Sequence, residues 1–319
     1  MSGRFVEGQW VTKAHWEADQ GGAFKRQESC FREWVSAPEP GRYHLYISHA
    51  CPWAHRTLIV RRLMGLEDAV SCSSVHPLMG EDGWHFDGTD PRFPTPDPIY
   101  GSNHLRELYL RSDPQVNGRV TVPILWDRVE ERIINNESSE IIRMFSTTFK
   151  PFGAPAFDLY PDPMRGDIDQ AMEAIYQPIN NGVYRCGFAQ TFEAYTEALS
   201  ELFDALEHWD AVLQRQPYLC GSTATLADVA LFTTLIRFDA VYYVHFKTSK
   251  RHIYEFTGLW AFLKRFYQLD GVAATLRMDH VKTHYFASHR QLNPRGFVPP
   301  GPDIEAMLRL PESGERSPN

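Results

Sequence analysis

The sequence predicts an α/β domain followed by an all-α domain, and three observations carry that reading. Apolar runs with strand and helix periodicity alternate as β-α-β and then, after a long loop, as α-β-β-α within residues 41–150. A proline-rich linker at 151–163 follows, as expected at a domain boundary. From 164 to the end the apolar residues recur at helical spacing almost throughout, before an irregular tail.

The chain has 319 residues, 43% hydrophobic and 23% charged, which is enough to bury two cores. The formal net charge of -8 repels nucleic acid and anionic membrane surfaces, so neither is an expected partner. Residues 1–10 lack the apolar core of a secretory signal, and no run of eighteen apolar residues occurs, so a cytoplasmic protein is expected. Five scattered cysteines without a C-x-x-C pair indicate neither a disulfide framework nor a tetrahedral zinc site.

Taken in order, residues 1–40 read as an irregular arm. Tyr43 to Ile47 is a short aromatic and β-branched strand, and Thr57 to Leu66 carries apolar residues at helical spacing. Ala69 to Val75 is a second strand, expected to pair parallel with the first through the helix between them. His76 to Gly101 is dense in proline, glycine and aromatic residues, and must be a long loop beside the first helix. A helix capped by Ser102 or Asn103 follows. In Gly118 to Asp127 the strand is broken by Pro123, which suggests a turn into an edge strand with a cis Val122–Pro123 bond. Arg132 to Asn135 is a further strand, and Asn136 is the expected cap of a helix with acidic residues in its first turn. This order is the thioredoxin-like topology. In the second half the periodicity predicts helices over 168–179, 191–214, 226–244 and 258–269, and Thr225-Leu226-Ala227-Asp228 reads as a capping box. Regularity fades beyond residue 279, and Ser313 to Asn319 has the composition of a disordered tail.

The chemistry centres on Ser48-His49-Ala50-Cys51-Pro52-Trp53-Ala54-His55-Arg56, which puts a cysteine between the first strand and the first helix. Pro52 suits the first helical turn, so Cys51 stands where unpaired N–H groups and the helix dipole favour a thiolate. Thiols so placed titrate at roughly 3.5 to 7.5 instead of about 8.5. Ala54 occupies the position of the resolving cysteine in a dithiol enzyme, so the nucleophile needs an external thiol, and glutathione is the cytosolic candidate. The plain alternative is a buried structural cysteine. His49, Cys51 and His55 have metal-ligand chemistry, but a strand end, a helix start and the next turn do not converge, so no metal is expected. Core packing accounts equally well for Phe86 and Phe93, helix capping for Glu137, and an amphipathic core for the tyrosines at 184, 242, 243 and 285.

A thioredoxin-like half followed by an all-helical half with a capping box resembles a cytosolic glutathione transferase over essentially the whole chain. A finer resemblance is to the glutathionyl-hydroquinone reductases, the Xi class. It rests on Cys51-Pro52-Trp53-Ala54-His55-Arg56, Gly83-Trp84-His85-Phe86, Gly118 to Pro123, and Asn135 to Phe145. It implies that Cys51 is the nucleophile and that Val122, ahead of a cis Pro123, pairs its backbone with the cysteinyl group of glutathione. It implies further that Glu137 and Ser138 hold the γ-glutamyl end, that Trp84 and Arg119 clamp the tripeptide, and that Tyr184 and Tyr285 serve the aromatic substrate catalytically, with Tyr242 a weaker candidate for binding it. His49 departs from the family, which often has an apolar residue there.

The expected activity is reduction of S-glutathionyl-hydroquinones to hydroquinones. It runs through a Cys51–glutathione mixed disulfide that a second glutathione resolves to oxidised glutathione. Glutathione is then a co-substrate, no cofactor is bound permanently, and the resemblance implies a homodimer. Two alternatives share the fold: an omega-like thioltransferase or dehydroascorbate reductase, and a binding protein without catalysis.

Overall fold

In the computed structural model, which describes residues 3–12, 18–156 and 158–309, four strands form the mixed sheet of the first half. Their order is β4 (Val70–Ser74), β3 (Tyr43–Ile47), β5 (Ile124–Asp127), β6 (Arg132–Asn135). β3 and β4 are parallel, joined through α1 (Pro52–Leu63), while β5 runs antiparallel to both β3 and β6. All five residues of β3 are buried, the pattern of a strand covered on both faces. Its polar member, His44, is matched across the ladder: Nδ1 and Nε2 lie 2.7 and 2.8 Å from the hydroxyls of Ser71 and Ser73. Helices α1 and α3 (Ser138–Ser146) pack together, whereas α2 (Arg106–Ser112) packs on β6.

Several expectations need correction. The strand after Pro123 is interior, because Pro123 precedes β5 and takes no rung of its ladder; the Val122–Pro123 bond is cis as expected. Asn136 is not the cap of α3. Glu137 is, accepting from the Ser139 N–H at 3.0 Å, and Asn136 instead accepts from the Phe31 N–H at 3.0 Å and so fastens the arm. That arm is less irregular than its composition suggests: β1 (Arg4–Val6) and β2 (Gln9–Val11) form a hairpin, and Phe5 bonds to Gly118. α2 is preceded by Leu105 and not by a polar cap; Glu107 accepts from the N–H groups of Asn103 and His104.

The second half is helical. α4 (Arg165–Ile175), α5 (Gly182–Phe188), α6 (Phe192–Leu213) and α7 (Leu226–Arg237) are followed by a short α8 (Tyr243–His245) and by α9 (Thr257–Tyr267), α10 (Met278–Ser288) and α11 (Ile304–Arg309). The capping box of α7 forms as expected, with Thr225 and Asp228 bonding each other's backbone. The regularity expected to fade after 279 persists to the end of α10 at Ser288, and fades through 289–303 before the short α11. The tail from 313 lies outside the described residues. Wide π turns at Tyr176–Asn180 and Phe238–Tyr242 interrupt the helices. At Gly187 of α5 a Cβ would meet Phe246 Cδ1 at 2.1 Å, so only glycine allows α5 to approach this closely. α7 packs on α1 and brings the helical half against the Cys51 segment.

Candidate active site

Cys51 is the residue before α1, with extended backbone (φ -77°, ψ 122°) and Pro52 first in the helix, as the sequence predicts. Its thiol donates to the carbonyl of Val122 at 3.5 Å, which ties the nucleophile to the segment ahead of β5. The expected depression of its pKa is not what the surroundings produce. Burial pushes the Cys51 thiol up, opposed by the Ala54 and Trp53 N–H groups and by the positive charges of Arg237 and Arg26. The helix start does favour the thiolate, but desolvation outweighs it.

Two cavities adjoin beside the thiol, sharing Arg26, Trp53, Thr121 and Val122 in their walls. One is a polar cleft between the arm and the sheet, lined by Arg26, Gln27, Ser29, Thr121 to Pro123, and Asn136 to Ser138. Here the carboxylate of Glu137 accepts from Ser139 N–H and from the hydroxyls of Ser139 and Ser29, each at 3.0 Å. Ser138 is buried in the first turn of α3. The other is an aromatic cavity that holds Cys51 itself with Trp84, Arg119, Val122, Tyr184, His284 and Tyr285. Trp84 and Arg119 thus line the aromatic side of the junction. Trp84 stacks on His284 with ring centroids 4.7 Å apart. Phe86 and Phe93 of the long loop are buried, and core packing accounts for them.

The sequence-predicted tyrosines do come together, although they arise from α5, the second π turn and α10. The hydroxyls of Tyr184 and Tyr285 are 2.6 Å apart, and Tyr242 reaches the Tyr285 hydroxyl at 3.1 Å. Tyr184 and Tyr285 line the cavity, whereas Tyr242 is fully enclosed behind them, reaching the Tyr285 hydroxyl and packing on the Tyr184 ring with centroids 6.1 Å apart. Burial pushes the hydroxyls of Tyr184 and Tyr285 well above the ordinary phenol range, so at neutral pH they hold their protons as donors.

Three residues of the site were not singled out from the sequence. Arg26 of the arm lies over Trp53 and Tyr184, 4.8 and 4.7 Å from their ring centres, and its Nε donates to Asn181 at 2.8 Å. Arg237, wholly buried at the end of α7, donates through Nε to the Ala50 carbonyl and through Nη2 to the His49 carbonyl, both at 3.0 Å. Its Nη1 bonds His55 Nδ1 at 3.0 Å, and His55 Nε2 meets the Thr275 hydroxyl at 2.8 Å. Both ring nitrogens of His55 are therefore engaged by protein groups. His49 instead packs edge-on against His280. His284 is the third. The only signals in the sequence are adjacency to Tyr285 for His284 and a position in the last turn of an apolar helix for Arg237. Among the described residues, His76, His85 and Asp87 place potential metal-binding atoms within 4.8 Å of one another at the base of the long loop. His76 there accepts from Leu78 N–H and lies 3.3 Å from Asp90.

Comparison with known proteins bears on this geometry. The family described as glutathione S-transferase, N-terminal domain, matches residues 50–148, and its C-terminal domain matches 192–267. The glutathionyl-hydroquinone reductase YqjG of Escherichia coli (strain K12) is 45% identical over 313 residues, covering 94% of this chain and 95% of its own. The glutathionyl-hydroquinone reductase PcpF of Sphingobium chlorophenolicum is 46% identical over 304 residues, covering 94% and 96%. Among solved structures, the Xi class glutathione transferase from Natrialba magadii superposes with a TM-score of 0.90 at 48% identity, over 98% of this chain and 96% of that one. The glutathione-bound structure of Escherichia coli YqjG gives 0.83 at 46% identity, over 86% and 94%.

Proposed function

The chain belongs to the Xi class of glutathione S-transferases, the glutathionyl-hydroquinone reductases, and on that premise we propose how its residues carry out the reaction. The protein is a glutathione-dependent oxidoreductase that reduces S-glutathionyl-hydroquinones, with glutathione as co-substrate. The observation that supports the residue assignment best is the position of Cys51, a thiol in a cavity walled by hydrogen-bonded tyrosines and bonded to Val122, which lines both that cavity and the polar cleft.

In the proposed reaction the glutathionyl moiety lies in the polar cleft. Its cysteinyl group pairs with the Val122 backbone as an added strand would, and its γ-glutamyl end meets the Glu137 carboxylate and the N-terminus of α3 at Ser138. Trp84 and Arg119 close over the junction, and the arene fills the aromatic cavity. Cys51 thiolate attacks the glutathionyl sulfur: a sulfur–sulfur bond forms, the aryl carbon–sulfur bond breaks, and its electron pair stays on the ring carbon, which takes up a proton. Tyr184 and Tyr285 polarise the ring oxygens and deliver that proton, while Tyr242 orients Tyr285. A second glutathione thiolate then attacks the mixed disulfide, releasing oxidised glutathione and Cys51. The arene is reduced by two electrons, and two glutathionyl sulfurs end as the disulfide.

We further propose that the chain divides at 151–163, that it works as a homodimer and that it acts in the cytoplasm, where a reducing glutathione pool sustains the cycle. No helix among the described residues is long and apolar enough to cross a membrane. The test compares glutathionyl-hydroquinone with dehydroascorbate as substrates, both with glutathione present. Preference for the former, with loss of turnover and of the mixed disulfide by intact mass in Cys51→Ala, is the expected result. Turnover in Cys51→Ala, or preference for dehydroascorbate, would refute the assignment.

A further inference from the structure

On the wall of the aromatic cavity, His284 offers a hydrogen-bonding group of the opposite sense to the tyrosines. The residue sits in α10 directly before Tyr285, with its face held against Trp84. Its Nδ1 lies 2.9 Å from the Pro77 carbonyl oxygen. A carbonyl can only accept, so Nδ1 carries the hydrogen and Nε2 keeps its lone pair. Nε2 has no hydrogen bond to the described residues, nor is it one of their enclosed unpaired atoms; the ring lines the cavity that contains Cys51. The neighbouring His289 also lines the cavity with its Nδ1 engaged, 3.1 Å from His245 Nε2, but an imidazole partner can donate or accept, so it does not fix which ring nitrogen of His289 carries the hydrogen as the Pro77 carbonyl does for His284. Burial lowers the pKa of His284 to about 4, so the ring is a neutral acceptor at physiological pH.

The cavity therefore presents tyrosyl hydroxyls, which can donate, and at His284 an imidazole nitrogen that can only accept. An arene hydroxyl satisfies both, because it accepts from a tyrosine and donates to Nε2. A quinone carbonyl or an aryl ether oxygen has only lone pairs, and would face Nε2 with no hydrogen between them. We infer that His284 Nε2 is the acceptor that reads the free hydroxyl of the aromatic substrate, so that this residue makes the site select hydroquinones against quinones and aryl ethers. The inference rests on the glutathionyl-hydroquinone reading and names the determinant of its specificity. His284 makes no bond to sulfur in this scheme, so thiol exchange at Cys51 proceeds without it.

The experiment measures binding without turnover. Cys51→Ser protein, with and without His284→Asn, is titrated calorimetrically with the glutathionyl-hydroquinone conjugate and with its di-O-methyl ether. Asparagine can still donate to the Pro77 carbonyl but has no atom at the Nε2 position. The expected result is a preference for the free quinol of roughly 10- to 100-fold in Cys51→Ser, the range for one buried polar group left unpaired. That preference should largely vanish in the double variant through weaker quinol binding, and His284→Gln, whose amide oxygen can reach the Nε2 position, should restore part of it. With Cys51 intact, His284→Asn should keep glutathione-dependent reduction of a small disulfide and lose kcat/KM for the conjugate. An undiminished preference in the double variant, or equal weakening of both ligands, overturns the inference while leaving the parent activity standing. Absence of conjugate turnover by the unsubstituted enzyme overturns the parent reading and the inference with it.

Discussion

Replacing Arg237 by methionine separates what the helical half contributes to the nucleophile from what it contributes to stability. The guanidinium is wholly buried and serves the carbonyls of His49 and Ala50, the two residues ahead of Cys51, together with His55 Nδ1. Methionine has similar bulk but no donor, so those three acceptors are left unpaired. At about 1–3 kcal/mol each, set against relief from burying a cation, the net loss is about 3 kcal/mol. For a chain of this size that is a fall of roughly 6 °C in Tm at about 2 °C per kcal/mol. The second effect is electrostatic. Arg237 is among the groups that hold the Cys51 thiol down against burial, so its removal raises the thiol further. Iodoacetamide alkylation of Cys51, followed by intact mass from pH 6 to 10, should shift to higher pH in Arg237→Met. Arg237→Lys keeps the charge with fewer donors, and should recover the alkylation profile more fully than the Tm. Unchanged alkylation in a destabilised Arg237→Met would show that the residue only props the loop, and refute the electrostatic part.

Other consequences can be measured separately. Tyr285→Phe removes the hydroxyl that joins Tyr184 to Tyr242, and should lower quinol reduction by about 100-fold, the scale of one proton-transfer group, while leaving thiol exchange intact; equal loss in both assays would contradict the assignment. Glu137→Gln removes the charge proposed to meet the γ-glutamyl ammonium, and should raise KM for glutathione roughly 10-fold with kcat retained; a change in kcat alone would place the carboxylate in the chemistry instead. Acid should destabilise the fold within a defined window. Burial holds His44, His49, His245 and His284 at about 4, so each is neutral when folded but takes a proton in the unfolded chain near pH 6.5. Their stabilisation is complete above about 6.5 and lost as pH falls towards 4, up to about 3 kcal/mol for each. Asp228, raised to about 6 by burial, and Asp239, also raised by burial, act in the opposite sense but are two groups against four. Tm should fall steeply between pH 6.5 and 5, and a flat profile to pH 4.5 would refute this.

What was legible in the sequence divides by distance along the chain. The strand-to-helix junction at Cys51, the capping box at Thr225 and Asp228, and the helical spacing of the second half depend on neighbours a few residues apart, and they emerge as expected. The arm's hairpin, bonded to Gly118, and the cap of α3 depend instead on residues far apart in the chain. Asn136 has the chemistry of a cap, but Phe31, from the distant arm, claims its side-chain oxygen, and the cap passes to Glu137. The raised thiol has the same ground, because burial depends on what the rest of the chain places around Cys51, as do the opposing charges of Arg237, which sits 187 residues from Ala50, and of Arg26 of the arm. Position at a helix start sets only one of the opposing contributions. Desolvation, which opposes the helix, is the larger. Occupation of the cleft by glutathione, whose cysteinyl N–H would compete for the Val122 carbonyl that Cys51 now uses, changes the thiol's own partner. Alkylation rates with and without a non-reducible S-alkyl glutathione that leaves Cys51 accessible should therefore differ in their pH profiles, and identical profiles would show that a glutathionyl group in the cleft does not alter the thiol's acidity.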